Sequence, residues 1–185
     1  LGQLAQRLGK PVPNIDYYTE HKDFTRERIA FEAGVSKDDA KFVLLALLFG
    51  AGLYKEGGEL EEKLGSEVMH KLRRSKTIKG IQSDLRKSRS AVIKHYRNKS
   101  KWNSQITNDA GRNIDANDSP RHILSHLLQG AESRCLEAMM SVTPGQVKVA
   151  AHDGYVLASK PDVDLLKQAI REATGYDLEL SVKLL

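Results

Sequence analysis

The chain has one cysteine, Cys135, among its 185 residues. One thiol cannot build a disulfide framework or a cysteine-rich zinc site, and a lone thiol is ordinary in a reducing compartment, so the cytoplasm is the expected location. Long apolar runs are missing too. The longest, Phe42 to Leu48, falls far short of the roughly 20 residues a spanning helix needs; it reads as a buried helix face, and no membrane partner is expected. The first residue is Leu1 rather than methionine, and nothing near it has the charged, apolar and cleavage regions of a signal peptide. A processed product or a piece of a longer polypeptide is therefore expected. The length suits one ordinary domain with a real core, without a second full one.

Acidic residues are nearly missing from one stretch. Between Lys71 and Lys101 stand twelve Lys or Arg against a single acid, Asp84, a local charge of +11 in a chain of net +5. A solvated helix face normally mixes signs, because like charges three or four residues apart repel. Unmixed cations fit a phosphate-backbone contact surface, with Arg86, Lys87 and Arg89 at its centre, or an idle basic helix.

Periodicity and punctuation place the elements. Leu1 to Leu8 has helical spacing and ends at Gly9-Lys10-Pro11. A loop through Pro11, Pro13 and Asn14 leads to a helix over Thr25 to Ala33, closed by Gly34. Ser36 caps a longer helix from Lys37 to Phe49, broken by Gly50-Ala51-Gly52. The basic stretch reads as helical with breaks near Ser75 and Gly80. Residues 99 to 118 read as a loop. Ser119-Pro120 opens a helix running to about Val142. Val147 to Ala151 and Tyr155 to Ala158 flank His152-Asp153-Gly154 as a tight hairpin. Asp162 to Thr174 is helical, and the alternation over Leu178 to Leu184 predicts a strand.

Three patterns in this frame carry chemistry. In the Ser36-capped helix, Lys37, Lys41, Leu45 and Phe49 recur every four residues on one face, away from Ala40, Val43, Leu44, Leu47 and Leu48. Two ammonium groups there suit a triphosphate, and an aromatic ring at the helix end suits stacking; an amphipathic core helix with two solvated lysines has the same pattern. In the helix after Pro120, Arg121, Ser125 and Gln129 form a polar line on an otherwise apolar helix. At the hairpin, Asp153 would present a carboxylate from a rigid turn, although Asp-Gly is also the common type I′ turn dipeptide.

Together and in this order, these patterns resemble family A DNA polymerases. His152-Asp153 is similar to that family's motif C, with Gly154 where the family has Glu and single-subunit RNA polymerases have Ser. Lys37-x-x-x-Lys41 followed by Phe49-Gly50 is similar to its motif B, with Lys37 in place of Arg and Phe49 in place of Tyr. The Gln129 helix, with Leu127-Leu128 before it and the Asp109-Ala110-Gly111-Arg112 loop upstream, looks like that of phage replicative polymerases; Ser125 replaces the usual Asn.

The resemblance implies an α+β fold: a helical fingers subdomain and part of the antiparallel palm sheet of a right-hand polymerase. Residues 1–35 would connect palm to fingers, 36–115 form the fingers, and 116–185 the palm with its motif C hairpin. It implies nucleotidyl transfer from a dNTP with two Mg²⁺ ions, and Asp153 as metal ligand. Lys37, Lys41, Leu45, Phe49 and Gly50 would bind nucleotide, while Arg121, Ser125, Gln129, His152, Arg112 and the basic stretch would hold a DNA primer-template. Family order puts motif A, with the other catalytic Asp, just before Leu1; Asp16 and Asp23 match it by residue type only. A companion polypeptide or N-terminal remainder is the expected partner, in a bacterial host cytoplasm if the chain is phage-encoded. A single-subunit RNA polymerase fragment and a non-catalytic nucleic-acid-binding module are the alternatives.

Overall fold

The computed structural model describes residues 1–54, 57–99, 104–151 and 154–183. The described residues form a mixed α+β structure in which helices predominate, with two separate two-stranded antiparallel sheets. Two compact units divide the chain: Leu1–Lys101 with Ser119–Leu124, and Trp102–Asp118 with Ser125–Leu185. Among the described residues, no helix is long and apolar enough to cross a membrane.

The first unit contains α1 (Gly2–Arg7), α2 (Pro13–Glu20), α3 (Lys22–Ala33), α4 (Lys37–Leu48), α5 (Glu59–Leu64), α6 (Ser66–Arg74) and α7 (Lys76–Lys99). Its core gathers Ile29 of α3, Val43 and Leu47 of α4, Leu53, Met69 and Leu72 of α6, and Ile78 of α7. Each such side chain, fully buried, stabilises the fold by about 1.5–3 kcal/mol. The punctuation between α3 and α4 is as expected. Gly34 takes the left-handed conformation at φ 70° and donates its N–H to the Ala30 carbonyl. Ser36 then accepts the Asp39 N–H, and Asp38 and Asp39 place negative charge at the positive end of α4.

Two expectations here are corrected. The segment expected as a loop through Pro13 and Asn14 opens α2, with Pro13 in the first turn, where its missing N–H costs nothing. Asn14 is anchored by the buried Asp84 of α7, donating its backbone N–H at 2.7 Å and its amide at 3.1 Å. Gly80 does not break α7. A β-carbon there would overlap the Asn14 side chain, so the glycine serves close packing of α2 on α7. The break at Ser75 is present: this residue ends α6, and its hydroxyl accepts the Ile78 N–H at 3.0 Å to start α7.

The second unit holds β1 (Gln105–Thr107), β2 (Asn113–Asp115), β3 (Val147–Ala151), β4 (Gly154–Leu157), α9 (Val163–Thr174) and most of α8 (Pro120–Ser141). The stretch expected as a loop over 99–118 contains the β1–β2 hairpin, with Ile106 opposite Ile114 and Ile106 fully buried. β3 and β4 pair antiparallel with Ala150 opposite Tyr155 and an irregularity between Val147 and Val149. Asp162 caps α9 by accepting the Asp164 and Leu165 N–H groups, and Gly175 ends it at φ 67°. The strand expected from Leu178 is absent among the described residues 178–183. Alternation prepares two faces but needs a neighbouring strand; here Glu179 reaches Lys167 of α9 at 3.5 Å.

Candidate functional site

On α4 the two faces separate as the spacing predicts. Ala40, Val43, Leu44 and Leu47 are buried, whereas Lys41 is exposed and Leu45 and Phe49 keep 45% and 42% of their surface. Two exposed apolar side chains beside an exposed lysine are available for a ligand with flat and anionic parts. Lys37 differs from Lys41. Its ammonium sits 3.0 Å from Glu27 and 3.1 Å from Asp23, both on α3, and these hydrogen bonds raise it above the usual lysine range. Lys41 makes no hydrogen bond or ion pair among the described residues. The acidic partners of Lys37 escape sequence spacing because they come from another helix.

Gly50 follows Phe49 at φ 95°, a conformation that disfavours any residue with a β-carbon. The Arg89 guanidinium of α7 lies against it. Arg89 is half-buried, and burial lowers its guanidinium below its ordinary value. Nucleotide and nucleic-acid candidates far apart in sequence therefore meet within the first unit.

Five other cations of α7 face solvent. Lys76, Lys79, Arg86, Lys87 and Lys94 are exposed and have no ion-pair partner among the described residues. At 100° per residue they fall within an arc of about 100° and a length of about 27 Å. The opposite face buries Ile78, Ile81, Leu85 and Val92. Like charges on an open face repel each other, a cost that a polyanion relieves.

On α8, Arg121 and Gln129 are exposed and Ser125 is half-buried, along the line opposite the buried Ile123, Leu124 and Leu127. Arg112, also exposed, lies in the β1–β2 connection. A residue the sequence reading passed over holds that connection. Asn108, only 6% exposed, accepts the Ala110 and Arg112 N–H groups at 3.1 Å and donates to the His126 carbonyl at 2.9 Å. The His126 ring in turn bonds the Arg112 carbonyl at 3.0 Å. Gly130, next to Gln129, leaves room for the Asn108 side chain. Arg112 is thereby fixed beside α8 within the second unit. The Asn108-Asp109 pair before Gly111 was the available signal, since Asn and Asp side chains fold back on turn N–H groups.

His152 and Asp153 lie outside the described residues. Among the described residues, no three His, Cys, Asp or Glu side chains gather where a metal ion could be held. In comparisons with known proteins, no family model matches the chain, and neither does any curated protein or solved structure.

Proposed function

We propose that this chain is part of the catalytic core of a family A DNA polymerase, contributing nucleotide-binding fingers and a segment of the palm. The observation that carries the proposal is the exposed face of α4: Lys41, then Leu45 and Phe49, backed by a face buried in the core. In this role the Lys41 ammonium offsets negative charge on the triphosphate as pyrophosphate leaves the α-phosphorus, and Lys37 adds charge one turn earlier. Phe49 offers its ring to the incoming base, and Gly50 lets the chain turn away behind it. Gln129 is suited to donate to the minor-groove acceptors that every base pair presents, which tests pairing geometry without reading sequence. Two Mg²⁺ ions, bound by Asp153 and by a carboxylate of a companion segment, would activate the primer hydroxyl and hold the triphosphate.

The test combines the chain with that segment, primer-template, Mg²⁺ and dNTPs, with each component alone as control. Extension in the mixture, abolished in Asp153→Asn, is expected; undiminished extension by Asp153→Asn would sink the assignment. Replacing dNTPs by rNTPs separates DNA from RNA synthesis.

A second reading, a non-catalytic nucleic-acid-binding module, is favoured by one observation, the cationic stripe of α7, which has no ion-pair partner among the described residues. Salt-dependent binding without nucleotide incorporation in the complete mixture would select it.

A further inference from the structure

Where α2, α3 and α7 meet, away from the face of α4, the first unit has an open cleft of about 240 Å³ lined by Asn14, Tyr17, Thr25, Arg28, Lys76 and Thr77, with Ile81 completing it. Its lining is unusual for a structural void. Tyr17 keeps 47% of its surface exposed, Lys76 is exposed with no ion-pair partner among the described residues, and Thr25 is 2% exposed with a hydroxyl that has no hydrogen-bond partner among the described residues.

The surface next to the cleft has the same character. Phe24, Arg28 and Phe31 follow each other at i, i+4 and i+7 on one face of α3, and the two phenylalanines are 56% and 90% exposed. Arg28 also bonds Glu32 at 3.0 Å through Nε, and Thr77 donates to the same carboxylate at 3.2 Å, so one acid partly offsets the two cations. Lys76 is the first residue of the cationic stripe on α7, so the aromatic surface continues into a row of positive charge. Exposed aromatics interleaved with cations are what single-stranded nucleic acid needs: rings for unpaired bases, charge for the backbone between them. A duplex, with its bases stacked inside, has no use for the rings. A protein partner without a row of acidic residues would use the phenylalanines but leave Lys76 and the stripe without a counter-charge.

We infer that this surface binds single-stranded nucleic acid, with one base in the cleft against Tyr17 and the flanking phosphates at Lys76 and Arg28. The site goes beyond the proposed catalytic role and stands whether or not the chain polymerises.

The experiment titrates the whole chain with a fluorescent oligothymidylate of about a dozen nucleotides, and with a hairpin duplex of similar charge. Tyr17→Ala is expected to weaken single-strand binding about 5- to 150-fold while leaving duplex binding within about twofold. Tyr17→Phe should retain binding, because stacking needs the ring and not the hydroxyl. Lys76→Gln should reduce the log-log salt slope on the single strand by roughly 0.7. Tyr17 is half exposed, so both variants should fold, which helical circular dichroism checks. Unchanged single-strand affinity in Tyr17→Ala, equal losses on single strand and duplex, or a response to Lys76→Gln alone would each overturn the inference, the last by showing an anion site that takes no base. Single-strand binding that depends on Tyr17, with no nucleotide incorporation in the complete mixture of chain, companion segment, primer-template, Mg²⁺ and dNTPs, would uphold this site and remove the polymerase assignment.

Discussion

Arg89 packs so closely on Gly50 that a β-carbon added to the glycine would lie 2.6 Å from Arg89 Nη1. The approach joins the end of α4 to the middle of α7, and it comes with a backbone at φ 95° that only glycine adopts without strain. Gly50→Ala is therefore expected to destabilise the chain by about 1–2 kcal/mol. Most of that cost is backbone strain, since the Arg89 tip is flexible enough to move. Urea denaturation measures it, and adding Arg89→Ala to Gly50→Ala should restore only a minor part. Full restoration by the second change would place the cost in the side-chain overlap instead.

The two lysines of α4 should not behave alike. Lys37 is engaged by Glu27 and Asp23, whereas Lys41 has no such partner among the described residues. If α4 binds a triphosphate, Lys41→Ala should lower the incorporation rate by about 10²–10³-fold, the range for removal of one charge-stabilising donor. Lys37→Ala should cost less, because its ammonium must leave two carboxylates before it can serve phosphate. Single-turnover extension in the reconstituted mixture compares them. An equal decline from both would show that the acidic pair does not hold Lys37 back.

Along α7 the cations also divide. Arg86 and Lys87 are exposed, while Arg89 is half-buried against Gly50. Replacing Arg86 and Lys87 by Gln should flatten the salt dependence of duplex binding by roughly 0.9 in log-log slope for each phosphate that the variant no longer neutralises. Arg89→Gln should change the slope less and the unfolding midpoint more. Filter binding across a salt series, paired with thermal melts, separates the two effects; a larger slope change at Arg89 would contradict its structural role.

These contrasts mark where sequence reading reaches and where it stops. Local signals were legible: Ser36 and Gly34 around α4, Pro120 opening α8, the helical stretch from Asp162 to Thr174, and the segregation of Lys41, Leu45 and Phe49 from the buried side of α4. What escaped depends on partners distant in sequence. α2 is secured by Asp84, seventy positions beyond Asn14, and Gly80 continues a helix because Asn14 occupies the space its side chain would take. The short, polar strands β1 and β2 have little pattern of their own, and the buried Asn108 bonded to His126 secures their connection. The reverse error at residues 178–183 has the same origin: an alternating pattern without a neighbouring strand to pair with. The same limit applies to Lys37, whose charge was legible and whose acidic partners were not.

The junction of α3, α6 and α7 provides the pH test. Glu32 receives the Ser75 hydroxyl, the Thr77 hydroxyl at 3.2 Å and Arg28 Nε at 3.0 Å. Burial alone would raise its carboxyl, but the hydrogen bonds from Ser75, Arg28 and Thr77 outweigh that and hold it below the usual glutamate range. A carboxylate whose folded pKa is depressed stabilises the fold fully above its unfolded value, and that contribution disappears as pH falls through the lower, folded value. Glu32→Gln should thus destabilise the chain at neutral pH by about 1–3 kcal/mol, since Ser75 and Arg28 are deprived of a charged acceptor. Between neutrality and about pH 5 the deficit should be constant. Below that, the wild-type carboxylate takes up a proton and the two proteins should converge. Thermal melts of both across this range measure the difference, and a gap that stayed constant into strong acid would show that Glu32 acts through shape and not through charge.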